Sequence, residues 1–173
     1  MLKRLILPAA LLLATGGTFA QQPASQAKPA GSSQAQPALT KEQQEFRTRM
    51  AKNAQGVAET VDQGNIASLW DQSSDVMKHA VTRDAFVSGV QAQRTKAGKM
   101  ESRKLVLMFR SASKGENGIP PGNYFNVKFA TKFSNNQKPI LETVSYHFDK
   151  DNVVRLAGYT LETPAAPKQT KGQ

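Results

Sequence analysis

Glu142 is the residue of this sequence that is most informative about chemistry, because it interrupts an apolar strand pattern. Alternation along that strand puts it on the same face as Val144, Tyr146 and Phe148, toward a core or a pocket. A carboxylate in such a place needs a partner. In a simple meander the first and third strands run in the same direction, so Arg103 and Glu142 are predicted to lie at one end of the sheet.

Two interpretations of this end of the sheet stay open. In the first, Arg94, Arg103, Glu142 and Tyr146 line the mouth of a pocket and bind a small polar ligand. In the second, Arg103 and Glu142 form a structural ion pair that closes the core. We favour a noncatalytic binding module as the function. The alternative is a lyase- or isomerase-like enzyme that uses Glu142.

The two histidines give little support for catalysis or metal binding. His147 and Asp149 share a strand face and could act as a base and its orienting carboxylate, but Thr143 and Ser145 lie on the same face, which is expected to be exposed to solvent. His79 stands near a predicted helix end, where a cation is favourable. With no cysteine, the sequence does not supply the three or four converging ligands of a typical zinc site. We assign no catalytic residue, metal site or cofactor.

The basic charge of the chain is smaller in its folded part than in the whole. The net charge is +10 overall, but residues 40–162 contain 18 basic and 13 acidic residues, a net +5. Lys104, Arg110, Lys128 and Lys132 alternate outward on the strands and form a predicted basic surface. Few aromatic residues alternate with them, which argues against a specific nucleic-acid site. The expected partner is an envelope protein or a small polar ligand, and the oligomeric state is left open.

Hydrophobic periodicity divides the domain into a helical half and a strand half. Apolar residues recur at helical spacing over residues 40–64, 66–80 and 82–98, with a capping box at Thr40 and Gln43. Period-two alternation predicts four strands over residues 103–110, 125–133, 140–148 and 153–161. In the first strand, one face is predicted to carry Arg103, Leu105, Leu107 and Phe109.

These elements predict an α+β fold. Three N-terminal helices pack on a curved, four-stranded antiparallel meander, which gives a cone-like architecture.

The two ends of the chain have compositions unlike the domain between them. Residues 1–20 read as a signal peptide, with Lys3 and Arg4 before an apolar run and a cleavage site after Ala20. Residues 21–39 are rich in Gln, Ala, Pro and Ser, and they and the tail at 163–173 are expected to be disordered. The domain at 40–162 is therefore predicted to be periplasmic or secreted, with no transmembrane anchor after cleavage.

Scattered residues along the domain carry a family resemblance. They are Val61-Asp62-Gln63-Gly64-Asn65 followed by Trp70, Arg94 and Gly98 ahead of Arg103, Gly122-Asn123-Tyr124 before Phe133, the isolated Glu142, and Leu156-Ala157-Gly158-Tyr159. Over residues 42–161 the chain resembles the bacterial secreted family called domain of unknown function 4019. The resemblance implies a fold similar to the nuclear transport factor 2-like (cystatin-like) fold, with helices on a curved antiparallel sheet, and it implies no activity.

Overall fold

The computed structural model describes residues 38–116 and 118–162. Within these ranges the chain forms four helices followed by four strands, an α+β fold. The predicted signal peptide, nearly all of the predicted linker and the predicted tail lie outside the described residues. No helix in the described ranges is both long and apolar enough to cross a membrane.

Local sequence signals set both ends of α1 (Lys41–Asp62). The Thr40 hydroxyl accepts a hydrogen bond from the Gln43 backbone N–H, and the Gln43 side chain accepts one from the Thr40 N–H. This capping box satisfies two donors at the helix start. Gly64 follows the helix with a φ of 80°, a left-handed conformation that favours glycine. The prediction of this helix is confirmed.

The prediction of a single second helix is wrong, because residues 66–80 form two short helices, α2 (Ile66–Asp71) and α3 (Asp75–Ala80). The break lies at Ser74, whose backbone is extended and whose N–H donates to the Leu156 carbonyl on the last strand. The Ser74 hydroxyl then caps the first turn of α3. This link to the sheet interrupts a helical pattern that the sequence carries without a break.

The last helix, α4 (Arg83–Ala97), agrees with its prediction. Thr82 caps its start by accepting a hydrogen bond from the Ala85 N–H, and Gly98 ends it with a φ of 88°. Its buried face contributes Phe86 and Val90 to the core.

The strands form one antiparallel sheet in the order β1-β2-β3-β4, as the predicted meander requires. Their bounds are β1 (Met100–Ser113), β2 (Gly122–Phe133), β3 (Ile140–Phe148) and β4 (Val154–Glu162).

A β-bulge in β1 reverses the faces of its second half. Leu105 and Leu107 pair with successive residues of β2, so Val106 is an extra residue in the ladder. An insertion of one residue moves every later side chain to the other face. The prediction that Leu107 and Phe109 share a face with Arg103 is therefore wrong.

Helices α1 and α4 pack on one face of the sheet, which we call the inner face, and the opposite face is the outer face. Phe46 on α1 packs edge-on against Phe125 on β2, with ring centroids 5.1 Å apart. The main core cluster consists of Met50, Ala54, Val61, Ile66, Met77, Phe86, Val90, Phe125, Val127, Phe129, Val144, Tyr146, Leu156 and Tyr159.

Candidate functional site

Glu142 lies fully buried on the inner face, and each of its carboxylate oxygens accepts two hydrogen bonds. Oε1 accepts from the Tyr159 hydroxyl at 2.6 Å and from Arg103 Nη2 at 3.1 Å. Oε2 accepts from Arg103 Nε at 2.5 Å and from the Thr131 hydroxyl at 2.6 Å. These four bonds use all the lone-pair sites that a carboxylate offers.

Asp62, the last residue of α1, adds a second carboxylate. Its oxygens accept from Arg103 Nη1 at 3.0 Å and from Nη2 at 3.1 Å. Arg94 Nη2 on α4 lies 2.7 Å from Asp62, and the Arg94 guanidinium lies over the Phe133 ring, 4.4 Å from its centroid. Two guanidinium groups therefore balance two carboxylates. We call the following residues the Glu142 network: Asp62, Arg94, Arg103, Thr131, Glu142 and Tyr159.

Burial and hydrogen bonding together set the protonation of the donors in the Glu142 network. Burial alone would lower the pKa of Arg103, but hydrogen bonds to Glu142 and Asp62 outweigh it and raise that pKa above its ordinary value. Burial raises the pKa of Tyr159, and the adjacent Glu142 carboxylate raises it further. Arg103 and Tyr159 therefore remain protonated donors at neutral pH.

This geometry favours the structural interpretation of the Arg103–Glu142 pair. A general base or a ligand-binding carboxylate must present an oxygen to its target, whereas both Glu142 oxygens are already occupied by protein donors. Within residues 38–116 and 118–162, one donor nitrogen of the Glu142 network, Arg94 Nη1, is buried without a hydrogen-bond partner.

Tyr146, the fourth predicted ligand-binding residue, lies outside the Glu142 network. It is buried in the main core cluster on the inner face, and burial raises its pKa. Its hydroxyl has no hydrogen-bond partner in the described part of the chain. The structure therefore bonds Arg103 directly to Glu142 and links Arg94 to Arg103 through Asp62, but it does not join Tyr146 to them.

A groove of about 730 Å³ crosses the outer face, and we call it the sheet groove. Val76 and Ala80 of α3 line it, as do Ile119 and Pro120 of the loop between β1 and β2. All four strands contribute to its floor and rim. The strand residues include Phe109, Ser111, Tyr124, Asn126, Lys128, Thr143, Ser145, Gly158, Thr160 and Glu162.

A ladder of polar side chains crosses the floor of the sheet groove. The Ser145 hydroxyl donates to Asn126 Oδ1 at 2.8 Å, and Asn126 Nδ2 donates to the Ser111 hydroxyl at 2.9 Å. Thr143 and His147 on β3 are 7% and 8% exposed, so the prediction that this face of β3 is open to solvent is wrong. The Thr143 hydroxyl is buried and has no hydrogen-bond partner among the described residues.

His147 and Asp149 also lie on the outer-face side of β3 and form a pair. His147 Nδ1 lies 2.7 Å from Asp149 Oδ1, and the Ser74 hydroxyl donates to the same oxygen at 2.5 Å. His147 Nε2 faces Gly122, where a Cβ atom would overlap it. In a nucleophilic triad the hydroxyl contacts the second histidine nitrogen, so these residues do not form one.

Asp149 joins two parts of the fold instead. Arg155 Nη1 donates to Asp149 Oδ2 at 2.9 Å, while Ser74 contributes its bond from the start of α3. Burial would raise the pKa of Asp149, but hydrogen bonds from Ser74, His147 and Arg155 hold it below the ordinary value. No group of three or more potential metal ligands was found within the described ranges.

Arg110 does not belong to the predicted basic surface. It follows the β-bulge, so it lies on the inner face, and its guanidinium carbon is 5.6 Å from the Phe46 ring centroid and 5.1 Å from that of Phe148. These distances are those of cation–π contacts. The prediction that Arg110 lies beside the outward lysines is wrong because the extra residue Val106 reverses the faces of the residues that follow it, as it does for Leu107.

The three lysines of the predicted surface remain on the outer face, but two of them have local partners. Lys104 is exposed on β1. Lys128 Nζ lies 3.5 Å from Glu162 Oε2, and Lys132 Nζ donates to the Asn136 carbonyl. The positive charge on this face is therefore partly neutralised within the domain.

Comparison with protein families identifies the domain that contains these sites. The model of the family described as "Protein of unknown function (DUF4019)" matches residues 53–159. The chain belongs to this family. The match includes every residue of the Glu142 network and most of the strand residues of the sheet groove. No curated protein and no solved structure matches the chain, so the likeness to the nuclear transport factor 2-like fold stays a prediction.

Sequence reasoning misses three members of the Glu142 network in this DUF4019 domain. Asp62 ends a helix and resembles a surface residue, although it and Tyr159 both stand in segments that carry the family resemblance. Thr131 lies between Phe129 and Phe133 on the buried face of β2, and a polar residue on a buried face needs a hydrogen-bond partner. The same rule, applied to Asn126 on the other face, would have indicated the sheet groove.

Proposed function

We propose that this DUF4019 protein is an exported, noncatalytic binding module that holds a small polar ligand in the sheet groove. The observation that carries the proposal is the Thr143 hydroxyl, which is buried at the groove and lacks a hydrogen-bond partner in the described ranges. A buried polar group without a partner is unfavourable. A ligand that hydrogen-bonds to Thr143 would remove this penalty, and of the three buried side-chain atoms without a partner in the described ranges, the Thr143 hydroxyl is the one whose residue lines the sheet groove.

The remainder of the sheet groove supports the same function. The Ser145–Asn126–Ser111 ladder fixes the orientation of the Asn126 amide before any ligand arrives. Side chains that are already ordered lose little entropy on binding, which favours affinity. The volume of about 730 Å³ lies within the range of about 300–1,000 Å³ that is usual for small-molecule sites.

The noncatalytic part of the proposal rests on how the two candidate catalytic groups are used. Both oxygens of Glu142 are occupied by donors from the protein. His147 has one ring nitrogen at Asp149 and the other packed against Gly122. Glu142 therefore has no oxygen free to transfer a proton, and His147 does not line the sheet groove, which supports binding over a lyase or isomerase reaction.

Export is proposed from the sequence of the first twenty residues. Lys3 and Arg4 precede an apolar run, and small residues stand before the cleavage site after Ala20. We expect the protein produced from the full chain in a bacterium to be recovered outside the cytoplasm with Gln21 as its first residue. Mass spectrometry of the protein from each cell fraction identifies its first residue. Protein that still begins at Met1 and is found in the cytoplasmic fraction would contradict export.

A groove-filling variant tests the ligand site. At Gly158 an added Cβ would meet only the Ser145 Cβ, at 3.9 Å, so Gly158→Val should fold and occupy the groove. The control, Ala130→Val, adds bulk to β2 outside the groove lining. We expect a ligand from a panel of small envelope compounds to raise the unfolding temperature of the wild type and of Ala130→Val, but not of Gly158→Val. A ligand present at 100 times its dissociation constant stabilises the folded state by about 2.7 kcal/mol.

Two results would contradict the proposed site. One is a ligand that stabilises Gly158→Val as much as the wild type. The other is binding that is retained by Gly158→Val but lost in Glu142→Gln, which would move the site to the Glu142 network. Glu142→Gln is therefore measured in the same way. Because this variant is expected to be less stable, the quantity compared is the change in its unfolding temperature when ligand is added, not the temperature itself.

A further inference from the structure

The charges that line the sheet groove cancel one another. Its charged lining residues are Lys114, Glu116, Lys128 and Glu162, two of each sign, and Lys128 lies 3.5 Å from Glu162. Residues 40–162 as a whole carry a net +5. A neutral groove in a basic domain does not favour an anionic ligand, and it offers no surplus of carboxylates for a cationic one. Its charge therefore matches an uncharged ligand.

The hydrogen-bonding groups that the polar ladder leaves open are a mixture of donors and acceptors. Asn126 uses one of its two amide hydrogens on Ser111 and one lone pair on Ser145. Ser111 accepts that bond and retains its own O–H to donate. Thr143 adds a complete hydroxyl, with one hydrogen and two lone pairs. A ligand that matches these groups must therefore both donate and accept hydrogen bonds, as hydroxyl groups do.

An apolar surface borders these polar groups. Phe109 on β1 pairs directly with Asn126, and Ala80 and Ile119 line the groove on the helix and loop sides. The Tyr124 hydroxyl is already used in a bond to the Pro120 carbonyl, so Tyr124 also contributes chiefly its ring. Aromatic rings beside a few placed polar groups suit a ligand with an apolar face and a polar edge.

We propose that the sheet groove binds a saccharide. A sugar ring carries no charge, presents hydroxyl groups that donate and accept around its edge, and has a C–H face that packs on an aromatic ring. This inference rests on the proposed function, because it assumes that the groove is the ligand site. The same chemistry is offered by a free sugar and by a glycan chain, and the experiment distinguishes these two sources.

The test titrates the full chain with four probes: glucose, N-acetylglucosamine, maltotetraose and chitotetraose. Binding is measured by isothermal titration calorimetry and by saturation-transfer NMR. The diagnostic variant is Thr143→Val, which replaces an unpartnered hydroxyl with a methyl group of similar size and should fold normally. Its matched control is Thr95→Val, on the exposed surface of α4.

We expect at least one probe to bind the wild type and Thr95→Val equally, and to bind Thr143→Val about tenfold more weakly, as the loss of one hydrogen bond predicts. A tetrasaccharide that binds at least tenfold more tightly than its monosaccharide supports a glycan chain as the ligand. Equal affinities for the two support a free sugar.

Two other outcomes separate the failure of this inference from the failure of the proposed function. If no saccharide binds but another compound of the panel stabilises the wild type and not Gly158→Val, the saccharide class is wrong and the groove remains the ligand site. If no compound gives a stabilisation that Gly158→Val abolishes, both the saccharide inference and the proposed function are overturned. Saccharide binding that is unchanged in Thr143→Val and in Gly158→Val also overturns this inference.

Discussion

Arg103 and Glu142 meet across an intervening strand: Arg103 Nε on β1 lies 2.5 Å from Glu142 Oε2 on β3, with β2 between them. Thr131, the β2 residue that pairs with Arg103, donates to the same carboxylate oxygen. Through Asp62 the Arg103 guanidinium also reaches α1. One arginine thus connects two strands and a helix, which explains why a buried charge is tolerated at this position.

The first prediction concerns the charge of Glu142. Glu142→Gln should lower the free energy of unfolding by about 3–5 kcal/mol, because it leaves Arg103 buried with one of its two carboxylate partners removed. Urea denaturation followed by circular dichroism measures this change. Glu101→Gln on the exposed part of β1 is the control and should change stability by less than about 0.5 kcal/mol. Similar effects of the two variants would contradict a structural role for Glu142.

The second prediction compares two buried tyrosine hydroxyls. Tyr159→Phe removes a donor to Glu142 and should cost about 1–3 kcal/mol of stability. Tyr146→Phe removes a hydroxyl that has no partner in the described residues, so it should be neutral or slightly stabilising. Both variants delete one oxygen from a buried ring, so the difference in their unfolding free energies isolates the hydrogen bond. Equal costs would contradict the role given to Tyr159.

The third prediction is a loss of stability in acid that depends on Asp149. Its pKa lies below the ordinary 3.8 in the folded protein because burial is outweighed by hydrogen bonds from Ser74, His147 and Arg155. Below about pH 4 the unfolded chain takes up a proton that the folded chain does not, so the free energy of unfolding falls as the pH decreases. Asp151, whose pKa is lowered to about 2 by its hydrogen bond with Arg155, acts in the same direction.

Asp149→Asn tests this prediction. We expect the variant to be less stable at neutral pH by about 1.5–3 kcal/mol, and to lose less stability than the wild type as the pH falls from about 5 to about 2. Urea denaturation at several pH values gives both quantities. The control, Asp84→Asn, changes an exposed carboxylate at the start of α4 and should retain the wild-type pH dependence. If the free energy of unfolding of Asp149→Asn falls with pH as steeply as that of the wild type, Asp149 does not cause the loss of stability in acid.

The sequence predicts the elements whose signals are local. The capping box at Thr40, the left-handed glycines at 64 and 98, and the alternation along β2 all act within a few residues, and the corresponding elements agree with expectation. The position of Glu142 on a buried face follows from alternation in the same way. The placement of Arg103 and Glu142 at the same end of the sheet follows from strand direction, because a meander leaves few choices of topology.

The features that sequence reasoning misses depend on contacts between distant segments. Val106 continues an apolar run, so nothing local indicates that it is an extra residue, yet it decides the faces of Phe109 and Arg110. The break at Ser74 exists because its N–H bonds to Leu156, far along the chain. The sheet groove likewise requires side chains from four strands, α3 and a loop, and the register between them is not encoded in any one segment.

The fourth prediction concerns the contact between Gly122 and His147. Gly122 has a φ of 151°, and a Cβ atom there would overlap His147 Nε2, so Gly122→Ala is strained both in its backbone and against the imidazole ring. We expect Gly122→Ala to lower the free energy of unfolding by about 2 kcal/mol or more. Gly89→Ala on α4, where the added methyl group meets nothing within 4 Å, should instead stabilise the protein by about 0.5–1 kcal/mol.

A double-mutant cycle separates the two sources of strain at Gly122. In the His147→Ala background the ring is gone, so Gly122→Ala should cost less than it does in the wild type, by at least about 0.5 kcal/mol, because residues in contact are coupled. The backbone part of the cost should remain in both backgrounds. If Gly122→Ala costs the same with and without the ring, His147 Nε2 does not pack against this glycine.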